Sequence, residues 1–375
     1  MSASSDSPKI LIFRLSALGD IILCSSALTA IRRVRPKAKI HWVCSTTWAS
    51  ILQQDPRIDR LTGFERRSGV FAWHRLCRHL YDERYDEVLD LHSSLRTSYA
   101  RLYFLFRAMF SDRISPSRWA VLSKTRMRRF GFFIFKSAWP KHLRPDHGGG
   151  LATRAALLAG GSGEDRPDLS FLLKQGRASQ RAQEWVQILS GDARGFLAVM
   201  PSSAWAGKRW SIARLADSLG RLGLPVAVLG TEQDPECWEL ADLLEGTGLR
   251  VVRAFRSADF SETASLIHAS RLLLSNDTGL VHLAEAVGKP VVQLFGPTDP
   301  SLGFGAWRPE SRVVASSLWC RPCSKDGSAC FRWGSSRFLC LQQLSGDQVV
   351  GAVREVLGEP TSEGATCVPS GMAEH

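Results

Sequence analysis

With 375 residues, 44% of them hydrophobic and 22% charged, the chain is long enough for about two packed cores and too apolar for disorder. The net charge of +12 calls for an anionic partner; charge alone admits nucleic acid, anionic lipid and phosphorylated small molecules. No apolar run reaches the roughly 18–20 residues that a membrane-spanning helix needs.

The N-terminal stretch SPKILIFRLSALGDIIL places a lysine before apolar residues, as a secretory leader does. Arg14 and Asp20 interrupt any leader core, and no clean small-residue cleavage site follows. It predicts a first β-strand, KILIFRL, in a cytoplasmic protein. SALGD then reads as a turn with Gly19 at its tight point, and IILCSSALTAIRRVRP as a helix closed by Pro36. KIHWVCS and YDEVLDLH read as further strands, with WASILQQDP as a helix between them. This alternation predicts a parallel sheet covered by helices.

Residues 101–144 hold roughly ten basic and ten aromatic residues with a single acid, a mixture suited to a membrane surface or a polyanion. The same composition also fits core aromatics beneath a solvated arginine face. An amphipathic helix between Lys174 and Ala193 precedes a new strand, FLAVMP, where the alternation restarts. SIARLADSLGRLG, PVAVLG, PECWELADLLEGTG, LRVVRAF, SETASLIHAS, RLLLSND, TGLVHLAEAVG and KPVVQLFG follow in order. The predicted architecture is α/β, with two Rossmann-like doubly wound domains over 1–185 and 186–357 and a disordered tail over 358–375.

Ligands of such sheets sit beyond the carboxyl ends of strands, near helix N-termini. The triplet Asp277-Thr278-Gly279 ends an apolar strand and opens a helix. An aspartic protease needs two such carboxylates on mostly β lobes, and no second Asp-Thr/Ser-Gly occurs in the chain. The triplet therefore reads as a ligand loop. Asn276 and Asp277 are available as caps, Thr278 and Gly279 offer backbone N–H groups to an anion, and His282 follows within one turn. A helix cap with no ligand is the plainer alternative. After FLAVMP, Ser202, Ser203 and Lys208 can meet a diphosphate, although no Walker spacing is present. Glu232, after PVAVLG, can hold sugar or ribose hydroxyls. In the first half, Asp20 is either an N-cap or a carboxylate acting as general base.

Cys320, Cys323, Cys330 and Cys340 form a cluster that can bind zinc or iron structurally, stand as free thiols or pair as disulfides. The other cysteines are scattered, as in a reducing compartment.

The stretches RLSALGDIIL, PSSAWAGKRWSIARLADSL, LGTEQD and SNDTGLVHLAEAVGKPVVQLFGPTDP, with the cysteine-bearing tail, resemble glycosyltransferase family 9, the ADP-heptose:lipopolysaccharide heptosyltransferase family. The resemblance runs in order over about residues 9 to 357. It implies a GT-B fold, with the two domains facing a cleft and the acceptor bound by the first. It further implies inverting transfer of heptose from ADP-heptose to a hydroxyl of the lipopolysaccharide inner core, with no cofactor or catalytic metal. The position matching Asp20 is the base in that family. Those matching Lys208, Glu232, Asp277, Thr278, Gly279 and His282 contact the donor, and Ser202 and Ser203 fall where small hydroxyl residues meet the phosphates. A lipid A-core acceptor implies peripheral contact with the inner face of the inner membrane. A protein (autotransporter-type) acceptor and another nucleotide sugar are the alternatives. No nucleic-acid partner is expected, since no RNA- or DNA-binding motif accompanies the charge.

Overall fold

The computed structural model describes residues 7–111, 116–174, 176–257 and 259–360, the backbone alone of 176–179, and a short strand at Val368–Pro369. Most of the expected C-terminal tail lies outside the described residues. By their internal contacts the residues form two compact units, Met1–Arg126 with Leu151–Phe171, and Met127–Gly150 with Leu172–His375.

The first unit is built on five parallel strands: β1 (Lys9–Phe13), β2 (Lys39–Ser45), β3 (Arg60–Phe64), β4 (Glu87–Asp90) and β5 (Arg118–Val121), in the spatial order β3-β2-β1-β4-β5. β1 is buried at four of its five positions because both faces of the sheet are covered. One core under it is made by Leu11, Phe13, Val43, Trp73, Leu80, Val88 and Phe104. Helices Leu18–Cys24 and Ser26–Val34 follow β1.

The second unit has seven strands: β6 (Leu197–Met200), β7 (Val226–Val228), β8 (Val251–Arg253), β9 (Leu273–Asn276), β10 (Val291–Phe295), β11 (Arg312–Ala315) and β12 (Val368–Pro369), in the order β12-β11-β10-β9-β6-β7-β8. All pair in parallel except β12, which runs antiparallel to β11. Leu197, Val199, Leu219, Val226, Leu240, Leu274 and Val292 belong to its fully buried core. Each sheet reverses its strand order once, between β1 and β4 in the first and between β6 and β9 in the second. Such reversal points open a crevice at the carboxyl ends of the strands.

Three local expectations need correction. Gly19 is not a turn residue but lies inside helix Leu18–Cys24, and Ser25 separates that helix from the next. WASILQQDP is not an α-helix; a 3-10 turn, Thr46–Ile51, occupies its first part. Neither Asn276 nor Asp277 caps the helix Gly279–Ala286, whose N-cap residue is Thr278, because both side chains are taken up by cross-loop bonds. The basic and aromatic stretch 101–144 is also divided: residues up to Arg126 belong to the first unit and Met127–Gly150 to the second. In the second unit Lys136 Nζ donates to the Pro322 carbonyl at 2.6 Å, and Arg129 to that of Leu302 at 3.3 Å.

Candidate active site

In the second unit the reversal point is stitched by Asn276, the last residue of β9. Its amide donates to the Pro201 carbonyl beyond β6 at 2.6 Å, and its oxygen accepts from Trp210 N at 3.1 Å. This fixes the two loops that leave β6 and β9. On them, Lys208 Nζ meets Asp277 Oδ2 at 2.6 Å, with side-chain exposures of only 13% and 9%. Thr298, just after β10, donates to the same oxygen at 2.9 Å, and Gln293 on β10 donates to Oδ1 at 3.3 Å. An ammonium carries three N–H donors. With one on the Asp277 carboxylate and a second directed at the Asp277 carbonyl at 3.5 Å, one remains for an incoming anion. Beside it the helix Gly279–Ala286 presents its first backbone N–H groups and the positive end of its dipole. A buried cation, a helix N-terminus and a strand edge on one spot make an anion-binding corner.

Around this corner the predicted residues divide. Thr278 lies against it, its hydroxyl 3.1 Å from that of Ser275. Ser202 is turned to Asp234, whose carboxylate accepts at 2.9 Å, and Asp234 also accepts from Thr231 N and Oγ1. Ser203 is buried, and its carbonyl accepts from Arg209 Nε at 2.8 Å. Glu232, after β7, is exposed and pairs with Arg256 at 3.4 Å. It borders an open depression shared with Arg181, Trp185 and Arg253. His282 is buried, its ring stacked on Trp307 with centroids 5.9 Å apart.

Trp307 is itself held by Glu285. That buried carboxyl accepts from Trp307 N at 2.9 and 3.0 Å, from Arg308 N at 2.8 Å and from the Ser311 hydroxyl at 2.9 Å. Burial pushes it up to about 7, against these donors, which favour the ionised form. Sequence reading missed Thr298, Gln293, Glu285 and Trp307. Thr298 alone carried a signal, as a hydroxyl residue just beyond a strand end.

In the first unit, the guanidinium of Arg14, which follows β1, is ion-paired with Asp20 Oδ2 and donates to the Leu91 carbonyl beyond β4 at 2.5 Å. It thereby spans the reversal point of this sheet. Asp20 Oδ2 also accepts from Ala17 N at 3.2 Å, and among the described residues no hydrogen bond to Oδ1 is recorded. The surroundings are cationic. Burial, with Arg14, Lys124, Arg66 and Arg96 nearby, pushes the His92 imidazole down to about 3, so it is neutral. Asp90 is buried behind it, its carboxyl raised by desolvation while accepting from His92 N and Ser93 N.

A model of glycosyltransferase family 9 (heptosyltransferase) matches residues 156–333, which include the Lys208–Asp277 corner. Lipopolysaccharide heptosyltransferase 1 of Pseudomonas aeruginosa (strain PAO1) is 25% identical over 341 residues, 84% of this chain and 86% of that protein. Over residues 156–333 the chain is similar to glycosyltransferase family 9. The fold of the chain is the GT-B type, similar to that of solved heptosyltransferases. The glycosyl transferase family 9 protein of Veillonella parvula DSM 2008 superposes with a TM-score of 0.69 at 21% identity, covering 96% of this chain and 100% of that one. The E. coli heptosyltransferase WaaC with ADP gives 0.62 at 19%, covering 93% and 99%.

The four clustered cysteines lie in this matched region or just after it. Cys330 Sγ accepts from Phe338 N at 3.2 Å and Arg332 N at 3.4 Å, and Arg332 Nε lies 3.4 Å from Cys320 Sγ. All four are free thiols rather than disulfides. Among the described residues no group of three or more His, Cys, Asp or Glu side chains is arranged to hold a metal ion.

Proposed function

We propose that this chain transfers heptose from ADP-heptose to a hydroxyl of the lipopolysaccharide inner core, with inversion and without a catalytic metal. The observation that carries the reading is the Lys208–Asp277–Thr298 corner at the carboxyl edge of the second sheet, beside a helix N-terminus. The E. coli heptosyltransferase WaaC was solved with ADP, which supports a nucleotide ligand. Lys208 and the first N–H groups of the helix Gly279–Ala286 take up the charge that develops on the departing diphosphate, the task a metal performs elsewhere. Glu232 holds ribose hydroxyls, and Ser202 and Ser203 line the phosphate approach.

Asp20 is the base. Arg14 fixes one carboxylate oxygen, which leaves Oδ1 to receive the acceptor proton. The acceptor oxygen then attacks the anomeric carbon from the face opposite ADP, and the bond to the phosphate oxygen breaks. Arg14, Lys124, Arg66 and Arg96, gathered in the first unit, suit an anionic, phosphate- or carboxylate-bearing acceptor. A lipid-anchored acceptor places the protein at the inner face of the inner membrane.

Calorimetric titration of ADP-heptose into the wild type and Lys208→Ala, run beside a transfer assay, tests the donor half. Loss of donor affinity in the variant supports it. Unchanged affinity removes Lys208 from the site.

A further inference from the structure

The helix Leu95–Met109 of the first unit is apolar on two opposite sides. Thr97, Ala100 and Phe104 form its packed face. At 100° per residue, Leu95, Leu102, Phe106 and Met109 fall within an arc of about 60° directly opposite. They are 91%, 67%, 60% and 77% exposed. A helix that packs on one side ordinarily shows polar residues on the other, and a contiguous apolar patch of this kind marks an interaction surface. The helix contains three arginines and no acid.

The arginines stand on the lateral sides of the helix, between the stripe and the packed face. Arg101 lies on one flank. Arg96 and Arg107 lie on the other, where their guanidinium groups sit over the Phe64 and Tyr81 rings at 5.9 and 5.8 Å. The neighbouring helix Gly69–Asp82 is tied alongside by Trp73 Nε1, which donates to the Arg96 carbonyl at 2.9 Å. Its Phe71 is also exposed.

We propose that this helix lies flat in the headgroup layer of an anionic bilayer, with Leu95, Leu102, Phe106 and Met109 inserted and the flanking arginines on lipid phosphates. The charge pattern selects this occupant. A protein partner is matched by mixed charge, whereas an apolar stripe on a helix whose charged residues, on both lateral sides, are all cations matches acyl chains beneath a sheet of phosphates. The stripe is too short for insertion to become spanning, and no described helix is long and apolar enough to cross a membrane. The proposal deepens the reading that the acceptor is lipid-anchored and rests on it for its purpose. Its test does not depend on that reading.

Flotation of the full chain with vesicles of phosphatidylglycerol and phosphatidylethanolamine, against vesicles of phosphatidylcholine alone, decides the matter. The wild type is expected to float with the anionic vesicles and to be released by salt. Leu102→Glu/Phe106→Glu is expected to lower the partition at least about tenfold while ADP binding is unchanged. Leu95→Glu is the control for folding. An acid in the first turn favours the helix dipole, so a lowered partition in that variant cannot arise from helix loss. Wild-type partition in both carboxylate variants overturns the proposal, as does failure of the wild type to float. A change of oligomeric state in light scattering with no change in flotation makes the stripe a contact between copies and overturns it too. Absent heptosyl transfer with intact flotation counts against the proposed reaction and leaves this surface standing.

Discussion

Lys208 Nζ and Asp277 Oδ2, 2.6 Å apart, join the loop after β6 to the loop after β9 through a nearly buried ion pair. Removing one partner of such a pair leaves the other charge in a site built for two. Asp277→Ala is therefore expected to cost about 3 kcal/mol of stability in urea unfolding. Donor affinity is expected to fall with it, because Lys208 loses the group that aims it.

Thr298 supports the same carboxylate with a neutral hydrogen bond of 2.9 Å. Thr298→Val keeps the shape and removes the donor, so it should cost about 1 kcal/mol, clearly less than Asp277→Ala. In steady-state kinetics its effect should appear as a raised KM for the donor with kcat little changed, since the hydroxyl positions Asp277 rather than touching the reacting atoms.

Asp20→Asn preserves the size of the side chain beside Arg14 and removes the proposed proton acceptor. Transfer should fall by about 10²–10⁴. ADP affinity, which the proposed reading assigns to the second unit, should stay at the wild-type value in calorimetry. Full turnover by this variant would end the base assignment.

Glu285 gives the fold a pH dependence. Its carboxyl, buried and raised to about 7 from the ordinary 4.5, binds a proton more tightly in the folded chain than in the unfolded one. The resulting stability is complete below pH 4.5 and is lost as pH rises toward 7, by about 3 kcal/mol in this one group's contribution. Glu285→Gln should flatten that part of the stability profile in denaturant titrations across the window. It should also lower stability throughout, because an amide N–H would face the Trp307 and Arg308 donors.

Much of the architecture was legible because both sheets are parallel and buried. Strands such as KIHWVCS and RLLLSND stand out as apolar runs between amphipathic helices. β3, β5 and β11 were missed: RLTGF and RWAV are short, with their residues only partly buried, and carry little of that signal. In the candidate site, strand-end logic singled out Lys208, Asp277 and Asp20. It could not show that Lys208 and Asp277 are bonded to each other, nor that Arg14 clamps Asp20, because those pairings depend on tertiary placement of loops far apart in sequence. The same limit concealed the exposed stripe. Leu102, Phe106 and Met109 have helical spacing whether they face the core or the outside, and only packing through Thr97, Ala100 and Phe104 decides the direction.

The most direct test of heptosyl transfer is product analysis after incubating the purified chain with ADP-heptose and a heptose-free lipopolysaccharide core acceptor, with no added metal and a chelator present. The account predicts release of ADP in step with an acceptor heavier by one heptosyl unit, whose new linkage has the anomeric configuration opposite to that of the donor. Retention of configuration, dependence on a divalent metal, or turnover of a different nucleotide sugar with ADP-heptose left intact would contradict it.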